Sequence, residues 1–461
     1  MRKIITPNMT ACDSDRASIQ AAVALAVEDG SRRIVIPRYN ERTGEDRWVI
    51  DGYVRLPSDF EVVLDGCYMV MADDVVGGFF CSETLFTLDA QDLSKRLKNI
   101  KILGKHGAVL DGGKPTALNE TTQLKLGVPV RMNHPISFMN VEGFAVENLE
   151  IRNQRYWGMR FEFCSHGVIR DIYFDIKRDR FNQDGINLRN GCNNILIENI
   201  SGQTGDDMIA LSAIDHDNPC VFGQEYSTIV KGHDWDIHDV TIRNVSGAAI
   251  THPLVALRNH NGAKMYNVTI ENLEDTSQIR PVEIYDGWPR YALVTVGVKW
   301  YYREKAQPGD TYNIKVKGLH ATHSLSPILL GSVVRDLEVK DVYAGGVARS
   351  VVTVIGDNWG DDCYGVKLDG ATFENVRLEA GAPDACVFNF SFMAEDDYLD
   401  GLVLRNAEIS GADTFALVNQ KAKRVDVTVE SSRLSCNTEI VRVSPPEMTR
   451  SERIAKFASR K

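Results

Sequence analysis

One short pattern, returning along most of the chain, limits its fold more than any other feature. Alternating apolar and polar residues run into an Asn or Asp in Val146-Glu147-Asn148-Leu149, Ile169-Arg170-Asp171-Ile172, Ile197-Glu198-Asn199-Ile200, Ile242-Arg243-Asn244-Val245 and Ile270-Glu271-Asn272-Leu273. Further copies are Leu337-Glu338-Val339-Lys340-Asp341, Phe373-Glu374-Asn375-Val376 and Leu404-Arg405-Asn406-Ala407. Period-two alternation marks strands with one buried face, and Asn148 and Asp171 are 23 residues apart, the length of one coil of a parallel β-helix. In such a solenoid, coils stack about 4.8 Å apart, and Asn at one corner can bond its counterparts above and below. Leucine-rich repeats need intervening helices and propellers need four strands per repeat; neither pattern occurs here. The expectation is an all-β parallel β-helix forming a single domain over residues 1–445.

The start of the chain reads as a lid for that stack. Ser14 or Asp15 can cap a helix whose Ile19, Ala22, Val23, Ala26 and Val27 share a face, and Gly30 ends it before the strand Arg33-Ile34-Val35-Ile36-Pro37. This capping segment, about residues 10–40, would cover the open end of the coils. Stretches 114–134, 213–236 and 286–310 read as loops growing out of the coils, where cleft walls are commonly built. Residues 446–461 form a basic tail or end cap.

Charge and cysteine content exclude several classes. A net charge of −11 argues against a nucleic-acid partner. No apolar run is long enough to span a membrane, and the first residues lack the apolar core of a signal peptide, so a cytoplasmic location is expected. Nine scattered cysteines without a paired motif read as reduced thiols, giving no metal site, and nothing calls for a cofactor. The cluster Trp300-Tyr301-Tyr302 leaves room for a homo-oligomer.

The chemistry concentrates on two successive coils, Asn182-Gln183-Asp184-Gly185-Ile186-Asn187-Leu188 and Gly205-Asp206-Asp207-Met208-Ile209-Ala210-Leu211. Aligning Ile186 with Ile209 puts Asp184 in one column with Asp207 and leaves Asp206 one residue aside. Any one of these is an ordinary turn residue; three together crowd like charge, which favours retention of a proton. A protonated carboxyl beside a carboxylate is what glycoside hydrolysis requires.

At these residues the chain resembles a known family. Asp15 to Ala22 with Ile34-Val35-Ile36-Pro37 is similar to the N-terminal cap of the pectate-lyase-like superfamily, and the two acidic motifs resemble those of glycoside hydrolase family 28, the polygalacturonases. The resemblance implies a right-handed, single-stranded parallel β-helix and hydrolysis with inversion. It implies Asp206 as general acid, Asp184 and Asp207 as the pair activating water, and Asn182 as a substrate-placing residue. The family's Gly-His-Gly is met only as Thr251-His252-Pro253, and its Arg-x-Lys is replaced by Glu283 and Tyr285. The substrate expected is therefore an oligosaccharide or polysaccharide of plant or microbial origin other than polygalacturonate.

Other candidates for holding the sugar are His252, Arg258, Arg280, Glu283 and Tyr285, with Trp157 and Trp288 as stacking planes. Trp157 falls in the column of Asp184, one coil earlier. Arg160, Arg178 and Arg180 read as solvated surface charges. Two rivals use the same scaffold: a calcium-dependent polysaccharide lyase and a non-catalytic carbohydrate-binding β-helix.

Overall fold

The computed structural model describes residues 4–10, 12–114, 133–176, 182–213, 234–249, 252–259, 262–276, 290–297, 306–354, 366–382, 384–391, 393 and 395–444. The chain divides into two compact units, Met1–Ile209 with His216–Asp236, and Ala210–Asp215 with Ile237–Lys461.

In the first unit, helix Asp15–Glu28 begins at Ser14, whose side chain accepts a hydrogen bond from the Ala17 amide, and it buries Ile19, Ala22, Val23 and Ala26. Asp15 is wholly buried, bonded by Arg42 and Asn40 and by the Val49 amide. The helix is thereby tied to the segment that follows the first strand. Strand Arg33–Pro37 pairs in parallel with Phe60–Asp65, and the ladder continues through Leu97–Lys105, Val141–Arg152, Ser165–Asp175 and Asn193–Thr204. A second parallel ladder runs through Val54–Leu56, Phe80–Ser82, Ile136–Met139, Met159–Glu162 and Ile186–Arg189. The fold is a right-handed parallel β-helix, the hand expected of parallel crossovers.

Its interior is made of rows, one residue per coil. Val146, Ile169 and Ile197 lie in register and are wholly buried, as are Ile136, Met159 and Ile186 on the other ladder. Burying each such side chain is worth about 1.5–3 kcal/mol, against the entropy of ordering the coil. Coils begin at residue 33, earlier than the repeat becomes legible near residue 99.

The second unit repeats the arrangement. One ladder passes from Ile237–Ala249 through Met265–Asp275, Thr311–Ala321, Val334–Ala344, Lys367–Glu379 and Tyr398–Arg405 to Arg424–Glu430. The other runs from Val255–Asn259 through Arg290–Val296, Ser324–Leu330, Val352–Val354 and Cys386–Phe390 to Thr414–Asn419 and Ile440–Val443. On its outside His238, Tyr266 and Tyr312 stack at 4.8 and 4.9 Å, the coil spacing itself.

The repeated Asn and Asp are bends inside long strands, except Asn406, which directly follows the end of strand Tyr398–Arg405. Asn148, Asp171, Asn199, Asn244, Asn272, Asp341, Asn375 and Asn406 all have φ between 50° and 57°. Asn and Asp enter this left-handed region at the least cost of any residues with a side chain. Their side chains link coils: Asn199 donates to Asp171 at 2.9 Å, Asn272 to Asn244 at 3.0 Å and Asn375 to Asp341 at 2.8 Å. The seven described cysteines are free thiols, five of them buried. No helix among the described residues is long and apolar enough to cross a membrane.

Candidate active site

Backbone pairing fixes which residues meet. Gly158 donates to the Asp184 carbonyl at 2.8 Å and Gly185 to the Asp207 carbonyl at 2.9 Å, so Trp157, Asp184 and Asp207 form one column on three successive coils. The two glycines are required by this approach. A Cβ on Gly158 would lie 2.7 Å from the Gly185 carbonyl oxygen, and one on Gly185 would lie 2.4 Å from that of Met208. The Trp-Gly and Asp-Gly pairs are therefore places where adjacent coils leave no room for a side chain.

Two glutamine side chains stitch the coils next to this column. Gln154 donates to the Asp184 carbonyl at 2.9 Å, and Gln183 donates to the Gln154 carbonyl at 2.9 Å. The amides of Gly205 and Asp206 in turn donate to the Gln183 carbonyl. Asp206 is fixed by its neighbours: its carboxylate accepts from the Asp207 amide at 2.9 Å, and the Thr204 hydroxyl donates to its carbonyl at 2.8 Å.

The outcome is that Asp184, Asp206 and Asp207 offer carboxylate oxygens that all lie within 4.8 Å of one another. Asp184 is 4% exposed and Asp207 1%, while Asp206 is half-buried. Like charges this close in a poorly hydrated place repel, so holding them together works against stability. Among the described residues it is also the one set of three acidic, His or Cys side chains close enough to ligate a metal ion.

Trp157 is half-buried, and its ring stacks on His134 at 5.4 Å and on Tyr156 at 5.1 Å. The guanidinium carbon of Arg189 lies 5.4 Å from the Trp157 ring centre. His134 is 1% exposed, neither ring nitrogen has a hydrogen-bond partner, and burial holds its pKa well below the usual histidine range. Asn182 has φ 59°, so its residue type also serves a left-handed corner two positions before Asp184.

Arg160 differs from its reading as a solvated charge. It is 5% exposed and forms an ion pair with the wholly buried Glu162, which also accepts from Asn190 at 3.3 Å. In Met159-Arg160-Phe161-Glu162 alternation turns both charges outward, but tertiary cover rather than pattern decides whether outward means wet. Sequence reasoning also missed His134 and Arg189, whose roles depend on register and not on a motif. His252 and Arg258 are half-buried and belong to the second unit, Arg258 on strand Val255–Asn259. Arg178, Arg180, Arg280, Glu283, Tyr285, Trp288 and the cluster at 300–302 lie outside the described residues, as do most of the expected loops and residues 445–461.

The model of glycosyl hydrolases family 28 matches residues 80–233. That stretch contains the whole run from Asn182 to Asp207, and it supports a glycosidase-type function. No curated protein matches the chain. Among solved structures, a hyperthermoactive exopolygalacturonase from Thermotoga maritima is similar with a TM-score of 0.52 at 14% identity, over 96% of this chain and 92% of that one. The tailspike protein of E. coli bacteriophage HK620, solved with a pentasaccharide, is similar with a TM-score of 0.50 at 13% identity, over 94% and 80%. A double mutant of that tailspike gives 0.61 at 11% identity, over 93% and 78%. At these identities the structural likeness speaks for the fold.

Proposed function

We propose that this protein hydrolyses a glycosidic bond in a plant- or microbe-derived oligosaccharide, using Asp184, Asp206 and Asp207. The observation that carries the reading is the convergence of three carboxylates within 4.8 Å inside the stretch matched by a glycoside hydrolase family. Asp206, the most accessible of the three and held by the Asp207 amide, serves as general acid, protonating the departing oxygen. Asp184 and Asp207, stacked in one column, hold and deprotonate the attacking water. Asn182 and Trp157 flank this group and are assigned to the sugar, the first by hydrogen bonding and the second by its ring.

Stereochemistry is a separate question with its own measurement. Inversion follows from the family resemblance. The second reading is retention, in which one of these closely set carboxylates attacks the sugar directly. Proton NMR of the first-formed anomer decides between them: the opposite configuration supports inversion, the same configuration a covalent intermediate on Asp184 or Asp207. The replacement of the family's cation pair by Glu283 and Tyr285 argues for a sugar other than galacturonate.

The test is release of reducing ends from a panel of plant and microbial oligosaccharides, with Asp206→Asn as control. The reading expects turnover that survives EDTA and products without ultraviolet absorbance. Loss of activity with EDTA, together with an unsaturated product, would replace it with a calcium-dependent lyase.

A further inference from the structure

The amide nitrogen of Asn187, on the coil of Asp184, is buried and makes no hydrogen bond. Asn187 is 2% exposed, on strand Ile186–Arg189 directly after Asp184 and Gly185. Ile186 and Leu188 point into the core and are wholly buried, so alternation turns Asn187 to the outer face, in register with Arg160 one coil earlier. Its backbone lies three residues from Asp184, about 10 Å along an extended strand and on the scale of two sugar rings.

A leucine of similar size would fill the space without stranding a donor, and a stranded buried donor lowers stability. Burial does not separate Asn187 from the site, because Asp184 and Asp207 are just as enclosed at 4% and 1%.

We propose that Asn187 donates a hydrogen bond to an oxygen of the bound sugar, fixing the ring adjacent to the one being cleaved. This inference rests on the hydrolase reading, because it places that ring relative to Asp184. The acceptor is a sugar hydroxyl or carboxylate, two sources of one chemistry that neutral and acidic substrates distinguish.

The experiment uses the full chain with tetragalacturonate, xylotetraose and cellotetraose, comparing wild type with Asn187→Leu and Asn187→Asp. For the substrate turned over, Asn187→Leu should raise KM about tenfold with kcat nearly unchanged and a melting temperature equal or higher. Asn187→Asp, which exchanges the donor for an acceptor, should raise KM at least as much, and most for the acidic tetrasaccharide. An unchanged KM in Asn187→Leu overturns the proposal. Calorimetric binding of the same tetrasaccharides to Asp206→Asn, with and without Asn187→Leu, keeps the two readings apart. Turnover abolished by Asp206→Asn with KM untouched by Asn187→Leu rejects the role of Asn187 alone. Binding weakened about tenfold by Asn187→Leu, with no tetrasaccharide cleaved by wild type, retains the contact and rejects hydrolysis.

Discussion

Two polar columns climb the outside of the first unit, and they are built on opposite principles. At the corner column Asp171 accepts from Asn199 at 2.9 Å and Asn148 donates to the Gly104 carbonyl at 2.8 Å, so the corner amides bond to the neighbouring coil. At the acidic column Asp184 stands in line with Asp207, with Asp206 beside them, and carboxylates meet carboxylates. The first arrangement recurs from coil to coil and serves stability. The second occurs once among the described residues and works against stability, which is the signature of a site retained for chemistry.

That contrast can be broken most visibly at Asp184. Asp184→Asn keeps the shape and removes one charge, so activity on a cleaved oligosaccharide should fall by about 10³-fold or more, while the melting temperature stays or rises. A large loss of stability instead would make Asp184 a structural residue. Gly185→Ala comes next, because its Cβ would sit 2.4 Å from the Met208 carbonyl. Denaturant unfolding should show a loss of about 1–3 kcal/mol, with activity impaired as the coils of Asp184 and Asp207 are pushed apart. The corner column predicts the reverse balance. Asn199→Ala loses a bond and a residue suited to φ 56°, so stability should fall by about 1–2 kcal/mol with kcat and KM unchanged.

The smallest effect is expected at His134, and it carries a pH signature. Its pKa is depressed in the folded protein by burial, first, and by the Arg160 charge. Below the unfolded value of about 6.5 the unfolded chain takes up a proton that the folded chain refuses, so stability is lost as pH falls. His134→Phe should leave stability near pH 8 the same or slightly higher and flatten the decline between about pH 6.5 and 5. Equal pH slopes for both proteins would show that His134 does not contribute.

What was legible in the sequence follows the same division. Corners were readable because one requirement, a left-handed bend with a side chain that bonds its neighbour, recurs on most coils and there selects Asn or Asp. The copy at Gly318 escaped notice because glycine meets the bend, at φ 72°, without carrying the motif. Coils before residue 99 escaped because Asp59 and Asn99, which bend the chain at φ 55° and 51°, stand in register with Gly143 and not with Asn148, whose place on the preceding coil is taken by Gly104. The stacking of Asp184 on Asp207, and of Trp157 beneath them, was readable from the apolar residues that follow each. The burial of Arg160 with Glu162, the contact of Arg189 with Trp157 and the isolation of His134 were not. Each depends on which outward-facing positions are covered, and alternation records only inward and outward.

The most direct test of the account is reducing-end release from the oligosaccharide panel by wild type and Asp206→Asn, with melting curves for both. The account predicts turnover by wild type, turnover lowered by about 10³-fold in the variant, and superimposable or slightly higher melting for the variant. Equal turnover by both proteins would contradict it.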